Sequence, residues 1–424
     1  MVKIHHIERR IRPEPSRVLM RPFHIAVEPR DLNPTQTSRA ERIVNGVKAL
    51  SAREVQAEIA LVASEFEARH PNIIGWFRDR WREVAAMLAL DEADFTPHER
   101  ALIGAYFSHE YSYGSAAIMN PSVVAHPDQS GVVEGAVRFV MSMRTVGEGH
   151  ISSIAFREGT LGTDGALELA SPPPVSFSPH ETVEGGDVRL SFSQEAPLSA
   201  TVIFPVTEQQ RNGLEDLRLV AFEDGGETVF YGTYTAYSGR SIASEMLITR
   251  DFNDFELRAM TGSATDAKGL ALFPRRVGGR YAAIGRQDSE SLFFITTDDP
   301  LRWDGGERIA GPLHPWELVQ IGNCGSPIEI DEGWLLLTHG VGAVRKYAIG
   351  AMLLDKDDPA HVIGRSVQPI LSPEDEDREG YVPNVVYTCG AMAVGRRLFL
   401  PYGVADSSLA FAWVDLDELV ASLA

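Results

Sequence analysis

Glu215 and Asp216 are adjacent carboxylates, and a guanidinium follows at Arg218 in the stretch Gly213-Leu-Glu-Asp-Leu-Arg218. The β-branched and aromatic alternation of residues 217–223 predicts a strand, which puts Asp216 at the strand mouth and on the same face as Arg218. A carboxyl group so placed is suited to giving up a proton if its neighbours tune it. Like charge from Glu215 would raise its pKa, and the cation of Arg218 would lower it. By itself the stretch fits a solvated turn entering a strand equally well. Other residues able to bind or move charge are scattered along the chain: Asn120, Arg144, His150, Lys268, Arg286, His339, Arg345, Tyr347 and Asp406. Each has an ordinary alternative as a turn lysine, a surface arginine or a hydrogen-bonded strand histidine, so only their convergence would make a site.

The elements that must bring them together fall into two textures. In the first third, Ile43, Val47 and Leu50 recur at helical spacing. Ser51-Ala-Arg-Glu54 has the form of a capping box opening a second helix with Val55, Ile59, Val62 and Phe66 on one face. A third stripe follows (Ile73, Phe77, Trp81, Val84, Leu88), and Thr96-Pro-His-Glu99 opens a fourth helix running to Tyr111. Such stripes are packing surface, so residues 1–115 are expected to form a helical extension that caps the main domain or joins subunits.

From about residue 117 the pattern changes to short strands separated by Gly, Asp and Pro turns and stays so nearly to the end. This is an all-β texture. A faint echo recurs at Ile248-Thr-Arg-Asp251, Ile295-Thr-Thr-Asp298 and Leu353-Leu-Asp355. Its spacing is close to the ~40 to 50 residues of a four-stranded blade, so residues 116–424 are expected to form a β-propeller, with a two-sheet sandwich as the alternative. The innermost strands of a propeller bring distant side chains to one central funnel.

Bulk properties narrow the function classes. The chain has 424 residues, with 39 Lys and Arg against 59 Asp and Glu, a formal charge of -20. Such acidity argues against nucleic acid or an anionic membrane as partner. The two cysteines, Cys324 and Cys389, lie beside glycines without metal-ligand spacing and are expected to be reduced, buried thiols. No run of 18 uncharged apolar residues occurs, so a cytoplasmic enzyme is expected. Gly278-Gly279 and Gly305-Gly306 open no helix and are expected to be hairpin turns, and there is no Gly-x-Ser-x-Gly elbow or His-Glu-x-x-His. No metal or cofactor is expected.

An ordered run of motifs carries a resemblance: Ala116-Ala-Ile-Met-Asn-Pro121, Met143-Arg144, Gly213-x-Glu-Asp-x-Arg218, Lys268 within Asp266 to Pro274, Gly325-x-Pro327, Thr338-His-Gly-Val341, Tyr347 to Asp355, Gly380-Tyr-Val-Pro-Asn384 and Tyr402-Gly-x-x-Asp406. Over roughly residues 115 to 415 the chain resembles glycoside hydrolase family 130, which contains β-mannoside phosphorylases and some β-1,2-mannosidases on a five-bladed propeller. The resemblance implies inverting phosphorolysis of β-linked mannosides, with inorganic phosphate as co-substrate and α-mannose 1-phosphate as product. It implies Asp216 as the acid, Lys268, Arg286 and His339 as phosphate-binding residues, and Asn120, Arg144, Glu215, Arg218, Tyr347 and Asp406 around the sugar. Two positions depart from the family pattern: Leu217 replaces a common proline, and Gly285-Arg-Gln287 replaces His-Arg-Pro. The alternative is an inverting β-1,2-mannosidase, for which Glu245, Glu290 or Glu379 would activate water. His150 is a candidate acceptor-site residue, and Trp303, Trp316 and Trp334 are candidate stacking surfaces with the core as their simpler role. A homo-oligomer formed through the helical extension is a further expectation.

Overall fold

The computed structural model describes residues 2–26, 37–193 and 196–424. The chain divides into two compact units. The smaller, Ser16–Ser112 with Pro174–Ser176, contains four helices, Arg39–Lys48, Ala52–Phe66, Ile73–Leu88 and Pro97–Tyr106. Three of them begin with full capping boxes, at Ser38/Glu41, Ser51/Glu54 and Thr96/Glu99, so each satisfies backbone N–H groups that the first turn cannot. Their apolar stripes close on one core containing Val44, Val47, Val55, Ile59, Phe77, Trp81, Val84, Leu102 and Ile103. The fourth helix stops at Tyr106 rather than Tyr111. Residues Ser108–Ser112 instead pair antiparallel with Val18–Pro22 in a two-stranded sheet.

The larger unit comprises Met1–Pro15, Tyr113–Pro173 and Phe177–Ala424 and is mostly β. In this division Tyr113 opens the long β stretch, and the first fifteen residues group with the strands. Ile4–Ile11 pairs antiparallel with Ser408–Asp415, although a bulge between Ile7 and Arg10 breaks the period of two that would reveal a strand in sequence.

Among the described residues, five antiparallel meanders follow one another. The first contains Ala117–Ala125, Val137–Val146 and Ser152–Leu161; the second contains Gly213–Asp224, Glu227–Tyr237, Ile242–Thr249 and Asp254–Ala259. A parallel bridge, Gly213 to Ser152, joins these two, and with the short strands Leu167–Leu169, His180–Glu184, Asp187–Ser191 and Val202–Ile203 they form one eleven-stranded sheet. The third runs from Ala271 to Ala310, the fourth from Gln320 to Arg365, and the fifth joins Val386–Tyr387, Arg397–Val404, Ser408–Asp415 and the N-terminal strand. Each meander touches its successor: Glu223 bridges to Arg275, Ile321 N–H donates to the Glu290 carbonyl, and Tyr347 bridges to Val385. The last returns to the first, since Cys389 N–H donates to the Pro121 carbonyl and Ile118 N–H to the Ser407 carbonyl.

Apolar residues pack between the layers, and Trp303 and Trp334 are wholly buried in these cores rather than offered to a ligand. Trp316 is only half buried, but its ring covers Gly340 and Gly350. Cys324 and Cys389 are free, buried and in one cluster. Among the described residues no helix is long and apolar enough to cross a membrane.

One buried hydroxyl ties the first meander to the second: Ser122 Oγ accepts the Leu219 N–H at 2.9 Å and is fully enclosed. Ser122→Ala strands that donor, and urea unfolding should report a loss of about 1–3 kcal/mol. A variant as stable as the parent would show that the contact contributes nothing.

Candidate functional site

Asp216 is not simply the first residue of a strand. The strand spans Gly213–Asp224, and its register with Glu227–Tyr237 shifts between Glu215 and Arg218, so Asp216 is the bulged residue, with φ +58°. Asn120 occupies the same kind of position in the neighbouring meander, in a register shift between Met119 and Ser122 and with φ +51°. Bulges re-aim side chains, and here they turn an amide toward a carboxylate: Asn120 Nδ2 donates to Asp216 Oδ1 at 2.6 Å. Left-handed backbone at a residue with a side chain costs of order 1–2 kcal/mol, a strain that collects at binding sites. Arg345 and Asp406 share it, at φ +56° and +48°.

These residues line one cavity of about 210 Å³, together with Arg144, Arg218, Lys268, Arg286, His339, Tyr347, Gln320, Val385 and Tyr387. Five cationic side chains face two carboxylates, Asp216 and Asp406, in a protein whose net charge is -20. Glu215 is not part of the lining. Its two oxygens accept from Arg144 Nη2 and Lys268 Nζ, both at 2.7 Å, so it holds two cavity cations in place from behind. Arg144 also donates to Asp216 Oδ1 at 3.1 Å and to Ser152 Oγ at 2.9 Å. Arg218 donates to the Asp216 carbonyl at 3.0 Å and to the Tyr387 hydroxyl at 2.8 Å.

On the opposite wall Arg286 Nη1 lies 3.0 Å from His339 Nε2. The guanidinium has only donors, so that imidazole nitrogen accepts and the ring is neutral. Burial, then the charges of Arg286 and Arg218, push the His339 pKa well below its usual range, in agreement with this tautomer. The ring stacks on Tyr347 at 5.9 Å. Gly322 makes room for the pair, because a Cβ there would lie 2.3 Å from the imidazole and 2.9 Å from the guanidinium. Buried Nε atoms of Arg218 and Arg286 and the Oδ1 atoms of Asn120 and Asn323 have no hydrogen-bond partner among the described residues. With five cationic side chains against two carboxylates, the cavity suits a polar, anionic molecule.

Residues 190–424 match the model of a family described as beta-1,4-mannooligosaccharide phosphorylase, glycoside hydrolase family 130. The chain belongs to that family. Over 228 residues, 52% of the chain, it is 32% identical to a beta-1,2-mannobiose phosphorylase of Listeria innocua, of which the match spans 63%. A 1,2-beta-oligomannan phosphorylase of Thermoanaerobacter is 31% identical over 227 residues, 52% of this chain and 75% of the relative. The solved structure of the Listeria innocua beta-1,2-mannobiose phosphorylase with beta-1,2-mannobiose superposes with a TM-score of 0.54 at 21% identity, covering 73% of this chain and 92% of that one.

Of the charged and polar residues expected around the site of this family 130 chain, all but Glu215 and His150 line the cavity, and Tyr387, Gln320 and Val385 join them unannounced. Tyr387 was findable, since it stands three residues after Asn384 in a quoted motif. The carboxylates considered for activating water are elsewhere. Glu245 is buried, accepting from Tyr234 and Gln210 at 2.5 and 2.6 Å, and neither Glu290 nor Glu379 lines the cavity. Among the described residues no cluster of metal-ligating side chains occurs.

The sequence left open whether Glu215 or Arg218 sets the pKa of Asp216, and the structure decides for the cations. Burial alone would raise its pKa, but Arg144, Arg218 and Lys268, with the Asn120 hydrogen bond, outweigh it and hold the carboxyl at about 2. Asp406 goes the other way, pushed up to about 6 by burial and by the negative charge of Asp216. The two therefore act on stability with opposite sign. Asp216 contributes stability above the ordinary carboxylate range, lost as pH falls toward about 2; Asp406 contributes stability at low pH, lost as pH rises through about 6. Asp406→Asn should leave urea stability unchanged near pH ~4 and raise it by about 2 kcal/mol near pH ~8, whereas Asp216→Asn should lower it near pH ~8. Equal pH profiles for Asp406→Asn and the parent would contradict this.

Proposed function

We propose that the protein is an inverting β-mannoside phosphorylase, converting a short β-linked manno-oligosaccharide, with β-1,2 linkage first in order, and phosphate into α-mannose 1-phosphate and a shortened acceptor. The observation that carries this reading is the facing of Asp216 by Lys268, Arg218, Arg286 and Arg345 around one cavity that also holds a neutral His339. An acid and an oxyanion cradle are the two things phosphorolysis needs. The relatives' names, beta-1,2-mannobiose phosphorylase and 1,2-beta-oligomannan phosphorylase, support it.

In the proposed reaction Lys268, Arg286 and neutral His339 hold hydrogenphosphate, and Asn120, Arg144, Arg218, Tyr347 and Asp406 hold the mannosyl ring. An oxygen of hydrogenphosphate bonds to the anomeric carbon while the bond from that carbon to the acceptor oxygen breaks. Asp216, directly or through a sugar hydroxyl, protonates the departing oxygen, and the hydrogenphosphate proton restores Asp216. Bound phosphate answers the low pKa of Asp216, because its negative charge offsets the cations that keep the proton away. Glu215 supports the site by fixing Arg144 and Lys268. No cofactor enters this scheme.

Five meanders, each bonded to the next and the last to the first, support a five-bladed propeller with a helical extension made of the smaller unit. Two unbridged, buried thiols suit a reducing cytoplasm. Association through the helices completes the proposal and would appear as a dimer in light scattering.

Incubation with β-1,2-mannobiose, with and without phosphate, tests the reaction. Mannose 1-phosphate should appear only with phosphate. Asp216→Asn should lower kcat by about 10³-fold, and Lys268→Ala should raise the KM for phosphate by at least about tenfold. Release of free mannose at the same rate without phosphate would make the protein a hydrolase.

A further inference from the structure

His150 and Tyr381 are 231 residues apart in sequence, yet the Tyr381 hydroxyl lies 2.6 Å from His150 Nδ1. Their rings are 5.8 Å apart and tilted by 46°. Neither is core: His150 is exposed and Tyr381 is 45% exposed. Burial therefore does not explain why two rings are held together in water.

Both are anchored to the elements that build the cavity. His150 ends the turn Glu148–His150, with φ +60°, between the strand that carries Arg144 and the strand that begins at Ser152, whose hydroxyl accepts from Arg144. Tyr381 N–H donates to Ser407 Oγ at 2.6 Å, one residue beyond Asp406. Gly380 is pressed on the same turn, since a Cβ there would lie 2.5 Å from Ser407 Oγ and 2.6 Å from the Ala405 carbonyl oxygen. The rings thus stand beside the Arg144 and Asp406 wall without lining the cavity itself.

We propose that His150 and Tyr381 form the platform that receives the acceptor sugar, the part of the substrate that leaves with a new hydroxyl. This rests on the phosphorylase reading. A cavity of about 210 Å³ that must hold phosphate and one mannosyl ring leaves the next ring at its mouth. A pyranose there presents an apolar C–H face to an aromatic ring and hydroxyls to its polar edge, and the pair offers both. The mutual hydrogen bond fixes both rings before the sugar arrives, which lowers the ordering cost of binding.

The test is the synthetic direction, with mannose 1-phosphate as donor and mannose or β-1,2-mannobiose as acceptor. Tyr381→Ala and His150→Ala should each raise the acceptor KM about tenfold and leave the KM for mannose 1-phosphate within about twofold. Tyr381→Phe keeps the ring and should raise the acceptor KM less than Tyr381→Ala. Lower melting temperature with unchanged acceptor KM in both alanine variants would make the pair a structural latch and overturn the proposal. If the parent turns over no mannoside, the phosphorylase reading falls by itself. Calorimetric titration with β-1,2-mannobiose then decides the platform: affinity about tenfold weaker in Tyr381→Ala supports it, and equal affinity overturns it.

Discussion

The site depends on the guanidinium of Arg144, which donates to Glu215, Asp216 and Ser152 at once. It is a charge mostly withdrawn from water, and such a group persists only if its donors are matched. The matching is done by two successive carboxylates that an ordinary strand would send to opposite faces. The bulge at Asp216 removes that alternation, so one cation holds both acids. Lys268 completes the arrangement on the far oxygen of Glu215. Every later property of the cavity, its sign of charge and the titration of its acids, follows from this buried network.

The same network explains why two aspartates in one pocket titrate so differently. Asp216 touches the cations, with Asn120 as an added donor, and stays ionised. Asp406 feels Arg144 and Arg345 more weakly and pays for burial beside an existing negative charge. On the other wall a neutral imidazole next to Arg286 gives the cavity a polar group that adds no further positive charge. A dianion entering there meets donors already oriented, without having to reorganise solvent.

Much of this was legible in the chain itself. The capping boxes at Ser51 and Thr96 and the stripes behind them defined helices, because capping and packing there are local. Lys268, Arg286 and His339 could be grouped only through the order of motifs, since their convergence is made by non-local sheet contacts. The bulges at Asn120 and Asp216 left only a faint mark in residue type: Asn and Asp tolerate left-handed backbone better than other side chains, but they do so in ordinary turns too, and the register shifts that place them here are made by pairing before and after each bulge. For the same reason the direction of the Asp216 shift could not be read from the chain, as Arg144 lies 72 positions away. The strand Ile4–Ile11 and the true end of the fourth helix were hidden because both are decided by partners far along the chain.

That first strand has a consequence for how the molecule is made. Ile4 lies opposite Val414, so the first of these two strands leaves the ribosome about 400 residues ahead of the strand it pairs with. During synthesis the helical segment between Ser16 and Ser112 can reach its own core from nearby contacts, while the preceding strand waits without a partner. Its charged pattern, with His5, His6, Glu8, Arg9 and Arg10 among few apolar residues, keeps that waiting edge from pairing with strangers.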